Sequence, residues 1–239
     1  MKKSILIVII MSMIIPITVG AKEKYTTQNG IIMERSLYNE LCSIYSEGFI
    51  ETLTLGEFNN MANNNLDDIK KETYDENILP LIVPYGTYYS TNSKSVSLIK
   101  NGNYVTLLGS WKVKPTVNSY DVIGIRLSGL KLNGAFTFKQ TYVSDGSYKV
   151  IYNGNNKTFS NGFGSSALLQ IGSNQEYSLT FMVSGSGTIY GTYQHAVSSI
   201  TLNQSKDYII SSAGLGNVLD FSSSVKDKYD RMTGVDLTV

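Results

Sequence analysis

Cysteine, histidine, tryptophan and proline are scarce in this sequence: its 239 residues include one Cys, one His, one Trp and four Pro. Because Cys42 is the single cysteine, no disulfide can form within the chain, although small exported domains often depend on such bonds. Stability must therefore come from a hydrophobic core, and the chain is long enough for one large core or two modest ones. We interpret Cys42 as a small buried apolar residue on a predicted helix rather than as a reactive thiol.

Groups that carry catalysis or bind metals are also few. A Ser-His-Asp triad would have to use His195, the only histidine, together with one of three aspartates, Asp121, Asp207 or Asp220. No GxSxG motif selects a serine, so we interpret His195 as a polar strand residue with an ordinary hydrogen bond. One histidine and one cysteine in different regions do not make a zinc site, and there is no DxDxDG calcium loop. The sequence therefore predicts no metal and no cofactor.

Charged residues make up 16% of the chain and are unevenly distributed. Residues 22–85 contain five Lys or Arg against eleven Asp or Glu, a net charge of −6, whereas residues 86–221 contain ten against five, a net charge of +5. Either the two parts attract one another, which we favour, or the second part binds an anionic surface. Because no cluster of Lys or Arg is present, the sequence does not predict nucleic-acid binding.

The first 21 residues have the layout of a cleavable secretory signal. Lys2 and Lys3 precede an apolar run over 5–15, and the small residues Val19-Gly20-Ala21 provide a cleavage site. The run is shorter than the roughly 20 apolar residues of a membrane-spanning helix. No cysteine directly follows the cleavage site and the C-terminal residues do not form an apolar run, so we expect neither a lipid anchor nor a hydrophobic tail. The prediction is a secreted, extracellular protein.

Residues 22–85 form a predicted acidic α-helical segment and linker. Apolar residues at helical spacing predict an amphipathic helix from Met33 to Gly48, and Thr54 with Glu57 forms a capping box that opens a second helix. This second helix is expected to end at 63–65, so that the two form a helical hairpin. Residues 66–77 suggest a third helical piece, and prolines within 79–84 mark the boundary. The apolar face of the hairpin either docks on the region that follows or binds a partner.

The sequence pattern of residues 86–221 is typical of an all-β domain. Short alternating segments are separated by turn dipeptides such as Asn101-Gly102 and Asp145-Gly146, which are strong hairpin signals. Regular strands without helical inserts predict an antiparallel sandwich, jelly-roll-like, so that the fold class is α+β. Residues 222–239 are expected to form a C-terminal tail with a short helix around 225–232.

The segment over 119–132 is the predicted central strand of this sandwich. Asp121 alternates in phase with the apolar Ile123 and Ile125, which predicts one buried face and an opposite face that is mostly solvated. A carboxylate on the buried face needs a partner such as Arg126, a nearby lysine or backbone N–H groups. We favour a structural hydrogen-bond acceptor over a catalytic role for Asp121.

Aromatic residues are plentiful, with 17 Tyr and 8 Phe. Trp111 is the candidate centre of a platform for sugars or other flat ligands, with Tyr120, Tyr190 and Tyr193 as further candidates. The alternative, which we favour for Trp111, is that it fills the core of the sandwich. Tyrosine richness also suits contacts with proteins, so this feature predicts binding without selecting a class of ligand.

Three segments resemble parts of secreted, functionally uncharacterised β-rich proteins of low-GC Gram-positive bacteria: TLTLGEFNNM (52–61), GSWKVKPTVNSYDVIGIRLSGL (109–130) and YGTYQHAVSSI (190–200). The resemblance implies a secreted bacterial protein, and it assigns neither a catalytic residue nor a ligand.

Together these features favour a non-catalytic binding or adhesion module of the bacterial cell surface, with a glycan, a wall polymer or another protein as its partner. Two alternatives stay open. The segment Tyr177–Gln194 alternates as an amphipathic hairpin would in a pore-forming protein, and Asp121 or His195 would serve a secreted hydrolase. No feature of the sequence specifies an oligomeric state.

Overall fold

In a computed structural model, the structure describes residues 23–62, 66–75, 94–212, 218–230 and 234–239. The predicted signal over 1–21, the helix terminator over 63–65 and the proline boundary over 79–84 lie outside the described residues. Among the described residues, no helix is both long enough and apolar enough to cross a membrane.

The N-terminal part begins with a short hairpin of β1 (Lys24–Thr26) and β2 (Ile32–Glu34), followed by α1 (Arg35–Ile44), α2 (Glu47–Glu51) and α3 (Leu55–Ala62). These three short helices occupy the range in which two helices are predicted as a hairpin. The first predicted helix divides because the backbone leaves the helical region at Tyr45, and the Ser46 hydroxyl then caps α2 by accepting from the Phe49 N–H.

The remaining strands are antiparallel throughout and belong to one large sheet and one small hairpin. In chain order the elements are β3 (Lys70–Asp75), β4 (Lys94–Asn101), β5 (Tyr104–Trp111), β6 (Tyr120–Ser144), β7 (Ser147–Ile151), β8 (Asn155–Phe159), β9 (Gly162–Leu168), β10 (Ser173–Gln194), α4 (Leu202–Ser205), β11 (Tyr208–Ile210), β12 (Leu219–Phe221) and β13 (Val235–Thr238). The turn between β6 and β7 is formed by Asp145 and Gly146, both with positive φ, as the sequence predicts.

The strands β6 and β10 are each much longer than predicted and form a ribbon that enters both layers of the fold. The first half of β10 pairs with β5 and with the second half of β6, whereas its second half pairs with the first half of β6 and with β13. The pairing shifts register between Gly185 and Thr188, where the ribbon also contains Gly129 and Gly187 with positive φ. Glycine permits these backbone conformations, so β6 and β10 each continue as one strand through the bend.

The first layer contains β3, β4, β5 and β7, the second contains β8, β9 and β13, and the β6–β10 ribbon is shared. The layers face each other closely, because a Cβ on Gly109 of β5 would lie 2.6 Å from the Tyr193 ring, and one on Gly191 would lie 2.5 Å from Leu107. Their inner faces form one apolar core that includes Leu98, Ile123, Phe163, Leu179 and Val235. The architecture is that of an antiparallel β-sandwich, and the strand order does not by itself establish the predicted jelly-roll connectivity.

Adding a methyl group at Gly109, where β5 lies close to the Tyr193 ring, should destabilise the protein. We expect Gly109→Ala to lower the free energy of unfolding by about 1–3 kcal/mol, because the added carbon overlaps the buried ring of Tyr193. Gly56→Ala is the matched control, since an added Cβ on Gly56 of α3 would meet only the Thr54 hydroxyl oxygen, at 4.0 Å, and alanine there should be neutral or stabilising by about 0.5–1 kcal/mol. Urea denaturation compares the variants, and equal midpoints for the two would contradict the close packing of the layers.

The N-terminal helices pack on the outer face of β4 and β5. Ile99, Tyr104 and Leu108 share an apolar cluster with residues of the helices such as Leu41 and Phe49. The helical segment therefore docks on the sandwich, which is the first of its two predicted roles, while part of its apolar surface, such as Leu55, stays exposed. Ion pairs also join the acidic and basic parts, between Lys139 and Glu57 (3.7 Å) and between Lys112 and Asp75.

The predictions for this region and for the tail are met in part. Leu66–Asp68 form a 3-10 helix within the predicted third helical piece, but Lys70–Asp75 form β3, which pairs with β4 from Lys70 opposite Lys100 to Asp75 opposite Ser95. In the tail, a 3-10 helix at Lys226–Lys228 lies within the predicted short helix and precedes β13, which pairs with β10 from Val235 to Thr238. Both strands add to the edge of a sheet formed by distant residues, and such pairing overrides weak local preference.

The second face of the central strand is buried, contrary to the prediction that it is mostly solvated. Val122 is buried and Gly124 lies against the Leu219 side chain, because residues within 196–210 and 218–229 cover this face as a third apolar cluster. This cover includes α4 and the β11–β12 hairpin.

Candidate functional site

Asp121 lies at the start of β6 and is fully buried. Its Oδ1 accepts hydrogen bonds from Nδ1 of His195 (2.8 Å) and from the backbone N–H of Ala196 (3.1 Å). Its Oδ2 accepts from the hydroxyl of Tyr193. The carboxylate therefore receives three hydrogen bonds from two neighbouring elements, as the interpretation of Asp121 as a structural acceptor predicts.

Trp111, at the end of β5 in the first layer, contacts both Tyr193 and His195. Its Nε1 donates to the Tyr193 hydroxyl (2.7 Å), and its ring stands edge-on to the His195 ring with centroids 4.8 Å apart. Trp111 and Tyr193 are both buried, so the proposal that they form a surface platform for a ligand is corrected. The favoured alternative for Trp111, a core position, is confirmed.

Lys94 and Asp230 extend the group and were not singled out from the sequence. Both side chains have 0% exposure, and Nζ of Lys94 forms an ion pair with Oδ2 of Asp230. Oδ1 of Asp230 accepts from the backbone N–H of His195 (2.7 Å), and Nζ of Lys94 also donates to the Tyr193 carbonyl (3.3 Å). We call these six residues, Lys94, Trp111, Asp121, Tyr193, His195 and Asp230, the polar core.

The side chains of the polar core are buried, and this burial affects the pKa of Tyr193. Burial, followed by the charge of the Asp121 carboxylate, raises the pKa of Tyr193 well above its ordinary value, so the phenol remains a donor. Among the residues that the structure describes, no group of three or more His, Cys, Asp or Glu side chains is placed to hold a metal. This geometry is that of an internal hydrogen-bonded network, with neither Asp121 nor His195 open to a substrate.

Tyr120, Tyr190 and Arg126 lie on the opposite face of the second layer and do not join Trp111. The Arg126 guanidinium stacks 4.1 Å above the Tyr190 ring and donates to the Ser211 carbonyl (3.2 Å). Tyr120 and Tyr190 are half-buried beneath the segment that covers this face. The four predicted aromatic residues are therefore divided between two faces and form no common platform.

One sequence signal could have found Lys94. It shares the two-residue phase of Val96 and Leu98 in β4, which places it on the inner face of that strand. Asp230 carries no comparable signal, because it lies in a charged segment next to a 3-10 turn.

A second buried polar group lies where α2 meets the sheet. Glu176 of β10 accepts from the Ser46 hydroxyl (2.9 Å), and Gly48 approaches so closely that a Cβ would lie 2.7 Å from the Glu176 carboxylate. Burial is the main cause that raises the pKa of Glu176 to about 7, against the opposing effects of the Ser46 hydrogen bond and the Lys139 charge. Burial likewise lowers the pKa of Lys139, although Glu57 and Glu176 oppose the shift.

The N-terminal part also carries an apolar groove of about 590 Å³. Ile32 of β2 and Leu55 of α3 line it together and are 63% and 66% exposed. Ile31, Leu53 and Phe58 also line the groove.

The segment Tyr177–Gln194, singled out for membrane insertion, is part of the continuous strand β10. It pairs with β5 and β13 as well as along β6, so it is a central strand of the fold and not a separate hairpin. The alternation that suggested an amphipathic hairpin arises because one face of β10 lies in the apolar core.

Comparison with known proteins gives little similarity. No protein-family model matches the sequence, and no curated protein matches it. Among solved structures, the chain is similar to the KRT10-binding region domain of the pneumococcal serine rich repeat protein PsrP, with 13% sequence identity and a TM-score of 0.31 over 53% of this chain and 84% of that domain.

Proposed function

We propose that this chain is a secreted, non-catalytic binding module of the bacterial cell surface, and that the groove beside Ile32 and Leu55 receives a partner protein. The observation that carries the proposal is the exposure of these two aliphatic side chains at the rim of an apolar groove. A large apolar side chain of a partner would bury area that is otherwise in contact with water.

The charge of the surrounding region indicates the kind of partner. Residues 22–85 carry a net charge of −6, and Glu23, Glu40 and Glu47 are exposed on this part of the molecule. The complementary partner is a protein segment in which an apolar anchor is flanked by Lys or Arg. A glycan is less well matched, because four of the eight residues that line the groove are aliphatic and the predicted aromatic platform does not form.

The buried state of the polar core supports a non-catalytic role. A hydrolase based on Asp121 or His195 needs at least one of these side chains to contact a substrate. Asp121 instead accepts three internal hydrogen bonds, and His195 lies between Asp121 and Trp111.

A displayed library of random peptides tests the proposal. We expect selection on the immobilised protein to enrich peptides that combine an apolar residue with neighbouring Lys or Arg. Ile32→Ser and Leu55→Ser should each weaken binding of an enriched peptide by about tenfold or more, since each removes the burial of an aliphatic side chain. Ile209→Ser is the matched control, because Ile209 is also an exposed aliphatic residue but lies on β11. Enrichment of peptides that bind all three variants equally, or no enrichment, would overturn the assignment of the groove.

A further inference from the structure

The Lys94–Asp230 pair is placed for covalent chemistry. Both side chains have 0% exposure, and their nearest surroundings include the rings of Trp111 and Tyr193, with centroids 5.8 Å and 5.2 Å from Nζ of Lys94. Burying two opposite charges is unfavourable in free energy, because their mutual attraction offsets only part of the hydration free energy that they lose. A reaction that removes both charges would relieve this cost.

We propose that Lys94 and Asp230 condense to an amide, so that an isopeptide bond joins the two side chains. A proton first passes from the Lys94 ammonium to Oδ2 of Asp230, which leaves a neutral amine beside a neutral carboxylic acid. Nζ of Lys94 then forms a bond to Cγ of Asp230, and the Cγ–Oδ2 bond breaks. Oδ2 leaves as water with its own proton and a second proton from Nζ. No oxidant, reductant or other reactant is consumed.

The backbone around the pair is arranged for this step. The His195 N–H donates to Oδ1 of Asp230 (2.7 Å), the oxygen on which negative charge develops when Nζ attacks Cγ. The Tyr193 carbonyl accepts from Nζ of Lys94 (3.3 Å) and so orients the amine. Two further hydrogen bonds hold the Asp230 backbone, from Gln194 Nε2 to its carbonyl (2.8 Å) and from its N–H to the His195 carbonyl (2.9 Å). Fixed proximity of this kind replaces an encounter in solution.

The bond would link two distant parts of the sandwich. Lys94 is the first residue of β4, and Asp230 lies shortly before β13, the last strand. The two joined residues are 136 positions apart in the sequence (230 − 94), so the bond would restrict the unfolded chain as a long-range disulfide does. A chain whose only cysteine is Cys42 cannot obtain this restriction from a disulfide.

Mass spectrometry of the full chain purified from secreting cells tests the proposal directly. We expect the denatured protein to be lighter, by the mass of one water molecule, than the mass calculated for the N-terminus found in the same sample. In a tryptic digest, residues 72–100 should appear as one peptide joined to residues 229–231, because trypsin does not cleave after a lysine whose side chain is an amide. Release of 95–100 and 229–231 as separate peptides from the folded wild type would overturn the proposal.

Variants assign the bond to these two side chains. Lys94→Arg and Asp230→Ala should each lose the mass deficit and the joined peptide, and each should migrate more slowly than the wild type in a denaturing gel because the loop is open. Lys112→Arg is the matched control, since Lys112 pairs with Asp75 at the surface, and it should retain both signatures. A mass deficit that persists in Lys94→Arg would place the modification elsewhere and refute this assignment. The wild-type measurement does not depend on whether a variant folds.

Discussion

Asp121→Ala should lower the free energy of unfolding by about 3–5 kcal/mol, a large part of the 5–15 kcal/mol that stabilises a typical domain. The carboxylate accepts from the His195 ring, the Ala196 N–H and the Tyr193 hydroxyl, and all three donors are buried. Removing the acceptor leaves these donors without a partner in the protein interior, and each unsatisfied group costs about 1–3 kcal/mol. Alanine also leaves a cavity at the start of the central strand.

Urea denaturation followed by the fluorescence of Trp111 measures this effect, since Trp111 is the only tryptophan and belongs to the polar core. Asp220→Ala is the matched control, because Asp220 is also a strand residue, the middle residue of β12, but is exposed, and its loss should change stability by less than about 0.5 kcal/mol. If Asp121→Ala were as stable as Asp220→Ala, the hydrogen bonds to Asp121 would not contribute to the stability of the fold.

The stability of the wild type should fall as the pH rises from 4.5 to 7 because of Glu176. Burial raises the pKa of this carboxyl from 4.5 to about 7, so in this window the folded protein retains a proton that the unfolded chain has lost. The full effect is about 3 kcal/mol, since each pH unit of difference corresponds to about 1.4 kcal/mol. The lowered pKa of Lys139 has the opposite effect on the alkaline side, below its ordinary value of 10.5, where stability rises with pH.

Glu176→Gln isolates this contribution. Glutamine preserves the shape and accepts from the Ser46 hydroxyl, but it does not ionise, so the variant should be more stable than the wild type at pH 8 by up to about 3 kcal/mol and similar to it at pH 4.5. Unfolding midpoints in urea between pH 4.5 and 8 compare the two proteins. Glu40→Gln is the control, because Glu40 is exposed on α1 and should leave the pH profile of the wild type unchanged. A wild type whose stability does not depend on pH in this window would contradict the raised pKa.

The two proposals for this protein concern different parts of the molecule. The groove at Ile32 and Leu55 lies in the N-terminal part, whereas the Lys94–Asp230 pair joins β4 to the segment before β13. A protein that contains the isopeptide bond but selects no peptide would retain the inference about the polar core and lose the proposed binding function. The converse result would retain the binding function alone.

Local patterns in the sequence predicted the features that depend on neighbouring residues. The capping box of Thr54 and Glu57 is formed, with the Glu57 N–H donating to the Thr54 hydroxyl (3.2 Å) and the Thr54 N–H to the Glu57 carboxylate (2.7 Å). Asp145-Gly146 makes the predicted turn, and the alternation of Asp121 with Ile123 and Ile125 correctly identified an inner face. These signals succeed because their partners lie within a few residues of one another in the chain.

The candidate sites were only partly predictable, because their residues lie far apart in the chain. Trp111, Asp121 and His195 were recognised as notable residues, but their mutual contact depends on strands that are far apart in the sequence. Lys94 and Asp230 were missed altogether. The groove depends on β2 and α3 meeting at the surface, which the apolar pattern of either element does not indicate.

The sequence by itself determined that the chain lacks internal disulfides, that it alternates as an antiparallel β protein after a helical segment, and that Asp121 shares a face with apolar residues. Only the tertiary structure decided that the second face of the central strand is covered, that β6 and β10 run through both layers, and that Lys94 meets Asp230 in the polar core. The physical reason is that each of these results depends on contacts between residues that are distant in the chain, and such residues leave no periodic pattern from which their contact can be inferred.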